Sequence, residues 1–212
     1  MSLSPSDLSL LDQGITSLVS NFTKGVENAF TLGPDAMQWI RSYAEAFEEV
    51  NWWPCDWNPS TVFNFNQALD NEAAEKEAAE DALDEMPEGN LQRAMEIGHS
   101  FNQWPEESPQ LVLSLDLVHV FPWQDFLRLL QAVGNKLAVG GVFICIGPFK
   151  KHGGFSSAAE MAWDASLKRM NSQLGIRDMQ DVLRAAEGLR LACWHESYLG
   201  GNRQALVLRR MS

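Results

Sequence analysis

Several side chains sit where breaks in the chain would present them for chemistry. Asp56 lies in Pro54-Cys55-Asp56-Trp57-Asn58-Pro59, directly after the run Val50-Asn51-Trp52-Trp53, so its carboxylate falls at the carboxyl end of a strand. A carboxylate there can accept both hydroxyls of a ribose, as nucleotide-binding α/β folds use it; equally, it can cap the turn before Asn58-Pro59. Asp116 and His119 follow the apolar run Leu111-Val112-Leu113-Ser114-Leu115. Open parallel sheets bind ligands beyond such strand ends. An imidazole whose ordinary pKa is about 6.5 can serve as a general base, or stand as a hydrogen-bonded structural group. Eight tryptophans, Trp52, Trp53, Trp57, Trp104, Trp123 and Trp163 among them, supply packing area or an aromatic cage for a cation. Cys55, Cys145 and Cys193 are far apart and form no Cys-x-x-Cys, so neither a disulfide framework nor a metal site is expected.

The elements that must carry these residues follow from apolar spacing. Residues 14–22 have the β-branched content of a first strand, with Thr23-Lys24-Gly25 as its turn. Gly33-Pro34-Asp35 opens a helix, because the N–H that proline lacks has no helical partner in the first turn; Met37, Ile40, Tyr43, Ala44 and Phe47 continue it at helical spacing. Val50 to Trp53 is the second strand, residues 61–88 a helix, and residues 91–97 a third strand. Leu111-Val112-Leu113-Ser114-Leu115 and Val142-Phe143-Ile144-Cys145-Ile146 are nearly continuous apolar runs, the pattern of strands buried on both faces. Between them Phe126, Leu127, Leu130, Val133 and Leu137 mark one face of an amphipathic helix. Helices over 158–169 and 178–188 and two antiparallel strands, 191–196 and 205–209, close the chain. This alternation predicts an α/β fold: a doubly wound, mostly parallel sheet with an antiparallel C-terminal strand. We expect a single domain over 1–212, with an acidic helical insertion at about 70–89.

The charge narrows the choice of partners. A formal net charge of −12 would repel a phosphate backbone or an anionic membrane surface, so neither nucleic acid nor membrane is expected. No apolar run reaches the ~18 residues that span a bilayer, and a soluble, cytoplasmic protein acting on a small molecule is the expectation. A protein partner remains open.

Leu137-Ala138-Val139-Gly140-Gly141 before an apolar strand resembles the Leu-x-Pro-Gly-Gly segment of class I S-adenosylmethionine-dependent methyltransferases, with Val139 in the proline's place. A longer ordered set is more particular: Leu117-Val118-His119-Val120-Phe121-Pro122-Trp123, Gly147-Pro148-Phe149-Lys150, Trp163-Asp164-Ala165-Ser166-Leu167 and Gly175-Ile176-Arg177-Asp178. Together these resemble a small, functionally uncharacterised family of methyltransferase-like proteins over residues 110–210.

The resemblance implies a Rossmann-like fold and S-adenosylmethionine as cofactor. Asn21 and Gly25 would lie in the loop after strand one and contact the cofactor with Asp56 and Asp116. His119 and Asp116 would be catalytic, and Phe149, Trp163, Asp164 and Arg177 would surround the substrate. Arg177 would grip a carboxylate with two prongs, or pair with Asp164 or Asp178. Methyl transfer to a small-molecule acceptor is the activity implied. The segment 21–27 holds one glycine where such loops have several, and that departure motivates a second expectation: a non-catalytic protein that binds or scaffolds. A different reaction on the same fold is the third.

Overall fold

A computed structural model describes residues 5–79, 89–200 and 202–212. α1 (Pro5–Ser20) leads into β1 (Asn28–Leu32), α2 (Pro34–Ala46) and β2 (Asn51–Asp56). α3 (Pro59–Ala79) and the short β3 (Met95–Glu96) follow, then β4 (Leu111–Leu115), α4 (Trp123–Lys136) and β5 (Val142–Gly147). β6 (Phe149–Lys150), α5 (Ala158–Met170), β7 (Arg177–Asp178) and α6 (Met179–Glu187) lead to the closing pair, β8 (Leu191–Gly200) and β9 (Arg203–Arg210). Seven strands form one sheet in the order β3-β2-β1-β4-β5-β9-β8. Neighbours are parallel from β3 to β5, whereas β9 runs antiparallel to both β5 and β8. This is the doubly wound, mostly parallel sheet expected, with its antiparallel strand at the C-terminal end.

Both faces are covered, which is why the central strands are apolar throughout. Phe30, Val112, Phe143 and Leu206 point to a core that Phe126, Leu130 and Val133 of α4 and Val182 of α6 complete. Ala29, Leu111, Leu113, Ile144 and Val207 point the other way, against Ile15 and Val19 of α1 and Ile40 and Tyr43 of α2. A sheet covered in this way brings the carboxyl ends of its parallel strands to a common edge.

The first strand differs from the sequence expectation. Residues 14–20 are the last part of α1, not a strand: Ile15, Leu18 and Val19 fall at i, i+3 and i+4 and make one buried stripe. The true β1, Asn-Ala-Phe-Thr-Leu, follows Thr23-Lys24-Gly25 instead of preceding it. Pro54 lies inside β2, and the break comes only at Asp56. Odd-numbered positions of β2 bond β1, as Asn51 N to Glu27 O at 2.8 Å, so the missing N–H of Pro54 falls on the side of the two-residue β3, where little ladder is lost. Of the third strand expected over 91–97, β3 and an isolated bridge between Trp52 and Leu91 are realised. Of the acidic helical insertion expected at about 70–89, residues 70–79 belong to α3, and residues 80–88 lie outside the described residues. No helix among the described residues is long and apolar enough to cross a membrane.

One side chain ties the α2–β2 corner together. Asn90 Nδ2 shares its two N–H groups among the carbonyls of Ala44 at 2.9 Å, in the last turn of α2, and of Phe47 and Val50 at 3.0 Å, in the link to β2. Replacing it by alanine removes this donor from Ala44 and Val50, while Phe47 O keeps the Val50 N–H at 3.1 Å, and is expected to cost about 1–3 kcal/mol in urea unfolding. Asn90→Asp should cost more than Asn90→Ala, since it turns an acceptor-only carboxylate toward three carbonyls; equal losses would show that the amide donor is not what matters.

Candidate functional site

The strand order reverses between β1 and β4, which is where doubly wound sheets open a crevice for ligands. Gly33 is the entire link from β1 to α2. Its φ of 92° and ψ of 167° lie in a region that only glycine enters readily. Its N–H continues the ladder by donating to Cys55 O at 3.0 Å. A Cβ here would come within 2.7 Å of Leu117 Cδ2 and 3.3 Å of Trp57 Cη2. Leu117, immediately beyond the tip of β4, is 2% exposed and packs on bare backbone at the place where a crevice would open. Above it Trp57, Phe101 and Phe121 form a ring cluster, with centroids 4.6 Å apart for Trp57 and Phe121 and 6.0 Å for Phe101 and Phe121.

Asp56 stands at the tip of β2, as expected, but it is buried. Its Oδ1 accepts the Asn58 N–H at 2.7 Å, the turn-capping role; its Oδ2 is buried and has no hydrogen-bond partner among the described residues. Burial pushes this carboxyl above the usual carboxylate range, against the backbone bonds from Asn58 and Trp57.

Asp116 caps β4 with φ of 52°, and its N–H still donates to Ile146 O at 2.8 Å. Its Oδ2 receives a two-pronged contact from Arg203, Nε at 2.9 Å and the terminal nitrogen at 2.5 Å. The Oδ1 is buried without a hydrogen-bond partner among the described residues. Burial raises the Asp116 carboxyl, and the charge and bonds of Arg203 draw it back down.

His119 is 2% exposed and meets Trp163 edge-on at 4.7 Å between centroids. Burial, then the positive fields of Arg203 and Arg177, push its pKa down to about 4. Asp116, His119, Trp163 and Arg203 thus gather beside the tip of β4, two strands away from Asp56.

The remaining candidates separate. Among the described residues Arg177 grips no carboxylate: its guanidinium donates to Phe121 O at 2.8 Å and to Gln173 O, 5.9 Å from the Trp123 ring centroid. Asp164 is buried, accepting Ile176 N–H at 2.8 Å and pairing with Lys168 at 2.5 Å. Phe149 lies instead on the wall of a cavity beyond β5. Asn21 and Gly25 precede β1, so they sit at the opposite end of the sheet. There they line a hollow with Gln110, Gly141 and Val142, at the amino ends of β4 and β5. The glycine loop assigned to residues 21–27 is therefore not the loop after strand one; Gly33 alone occupies that place.

Arg203 and Gly33 escaped the sequence reading. The signal for Arg203 was the antiparallel return of β9, which pairs Gln204 with Gly147 and so sets the start of the last strand beside the tips of β4 and β5. The signal for Gly33 was a lone glycine between an apolar run and a helix-opening proline. Among the described residues no group of three or more His, Cys, Asp and Glu could hold a metal ion.

The family model described as "Protein of unknown function (DUF938)" matches residues 20–210. The chain belongs to that family. Among solved structures it is similar to the mitomycin 7-O-methyltransferase MmcR, with TM-score 0.71 and 15% identity over 96% of this chain and 54% of that one. It is likewise similar to PigF with SAH, at TM-score 0.74 and 11% identity over 96% and 57%, and to human N-acetylserotonin methyltransferase in complex with SAM, at 0.69 and 12% over 94% and 52%. The likeness extends to the fold, and the chain spans little more than half the length of these proteins.

The His119 shift sets a pH dependence. A depressed folded pKa means that the neutral form is favoured in the fold: the contribution is complete above the unfolded value of about 6.5 and is lost as pH falls toward 4. Relative to His119→Gln, the wild-type chain should lose roughly 3 kcal/mol of unfolding free energy between pH 7 and 4. Parallel stability curves for the two proteins would mean that His119 takes up its proton freely in the fold.

Proposed function

We propose that this chain is a methyltransferase-fold protein that works by binding and not by methyl transfer, and that the β1–β4 crevice does not hold S-adenosylmethionine. The observation that carries this reading is the Gly33–Leu117 contact. Sulfonium nucleoside cofactors need a turn after the first strand whose backbone can approach the ligand; here α2 begins one residue after β1 and Leu117 fills the space. Admitting a ligand would require Leu117 to leave a buried position, about 1.5–3 kcal/mol, and the Trp57 cluster to part, about 0.5–1.5 kcal/mol for each ring pair. Each 1.4 kcal/mol costs about a factor of ten in affinity.

A second reading, S-adenosylmethionine-dependent methyl transfer to a small molecule, is favoured by the buried, unbonded oxygens of Asp56 and Asp116, which are acceptors of the kind a ribose or an amino group uses. His119 argues against its own part in that reading, because a proton acceptor with a pKa of about 4 is a weak base at neutral pH.

Calorimetry with S-adenosylhomocysteine separates the two. We expect no saturable heat up to about 1 mM ligand and no stabilisation against heat. Saturation below about 100 μM would overturn the binding-only reading and restore the methyltransferase one.

A further inference from the structure

A cavity of about 520 Å³ lies beyond the carboxyl end of β5, on the side of the sheet edge away from Gly33 and Asp56. Phe149 and Met179 form its inner wall, each 1% exposed, and half-buried Phe155 and 70%-exposed Tyr198 extend it outward. A volume of this order suits a small organic molecule. Three aromatic rings and a thioether around it favour a flat π-system, and Tyr198 would recover, under such a ligand, apolar area that it now leaves in water.

Two charged groups on the same wall decide the ligand's charge, since Lys150, whose Nζ lies 5.4 Å from the Phe155 ring centroid, has the Asp178 carboxylate as its counter-charge. Lys151 Nζ and Glu196 Oε2 are 3.4 Å apart, one from the loop after β6 and one from β8, with side chains 55% and 39% exposed. A ligand of either net charge meets a like charge beside every attractive one, so the rim selects against both. Inside, buried Gln204 donates its amide N–H to Phe149 O at 3.0 Å; the same amide carries an acceptor oxygen, which suits a hydroxyl or N–H on the ligand.

The walls are held in place without a ligand. Lys151 and Gly154 exchange both backbone bonds, at 3.1 and 3.0 Å, around His152 and Gly153 with φ of 53° and 78°, as in a tight hairpin turn. Gly153 N–H is bound by Asp178 at 2.5 Å, Ser156 N–H by buried Glu160 at 2.8 Å, and Phe149 and Lys150 pair with Arg177 and Asp178. A preformed wall spares the ordering cost of binding.

We propose that this cavity is a binding site for an uncharged aromatic small molecule bearing a hydrogen-bonding group. The inference rests on the cavity and its rim pair, and it stands whether or not the β1–β4 crevice takes a nucleoside.

Three probes with one ring system test it: 2-naphthol, 2-naphthoate and 2-(aminomethyl)naphthalene, titrated into the full chain while backbone amide NMR shifts are followed. 2-Naphthol should saturate with a Kd below about 1 mM, shifting Ser156, Ser197 and Gln204, and the two ions should bind at least about fivefold more weakly. Tyr198→Ala, a change at an exposed position, should weaken 2-naphthol about fivefold. Lys151→Ala should make the ammonium probe the best of the three, and Glu196→Ala the naphthoate. Shifts that fail to saturate by about 5 mM, that map elsewhere, or that keep the same charge order in both rim variants would each overturn the proposal.

Discussion

The arrangement at this sheet edge depends on how the reversal of strand order between β1 and β4 is filled. Connections leave β1 toward one side of the sheet and β4 toward the other, so the backbone parts there whatever the sequence. Water, a ligand or the protein's own side chains must occupy the gap. Leu117 does so here, and it can because Gly33 presents no Cβ. Any other residue at position 33 would meet two penalties together, a φ of 92° and an atom 2.7 Å away. Glycine in this position admits the close approach of Leu117.

The neighbouring carboxylates are engaged by the protein's own groups. Asp56 becomes the cap of its own turn, and Asp116 becomes the anion that receives Arg203. Burial alone would hold both carboxyls protonated more readily than in water; the backbone bonds that Asp56 accepts, and the charge and bonds of Arg203 at Asp116, oppose it. The nearby imidazole follows from the same balance. With two guanidiniums close and little solvent, a third positive charge is disfavoured, so His119 stays neutral well below its ordinary range. Burial and neighbouring charge together therefore set the protonation of this cluster.

The middle of the fold was readable because burial on both faces leaves no alternation to misjudge. Leu111–Leu115 and Val142–Gly147 are five- and six-residue strands buried at every position, and the apolar stripe of α4 could belong to nothing but a helix on a sheet. The beginning was not readable for an equally physical reason. Ile15, Leu18 and Val19 are β-branched or apolar and suit either period, whereas β1 offers only five residues, one of them threonine and one asparagine. Misplacing that strand moved the expected cofactor loop to the wrong end of the sheet, taking Asn21 and Gly25 with it. Asp56, Asp116 and His119 were located correctly at strand tips, yet the partners that define them, Arg203, Leu117 and Trp57, come from segments whose proximity is a matter of topology. Contacts such as Arg203 to Asp116 join residues 87 apart in sequence, and no local pattern announces them.

Loop length explains why one end of the edge is filled while another is hollow. A crossing of one residue, as between β1 and α2, supplies no backbone to stand away from the sheet, so the side chains of neighbouring tips collapse onto it. Residues 148–157, between β5 and α5, are long enough to form β6, turn on Gly153 and return past Phe155, and the wall so made is kept off the sheet by its own hydrogen bonds. Two crossings in one sheet therefore diverge in what they can hold. Shared strand order carries the framework from one protein to another, but the capacity to bind resides in these connections and in the few charges set on them.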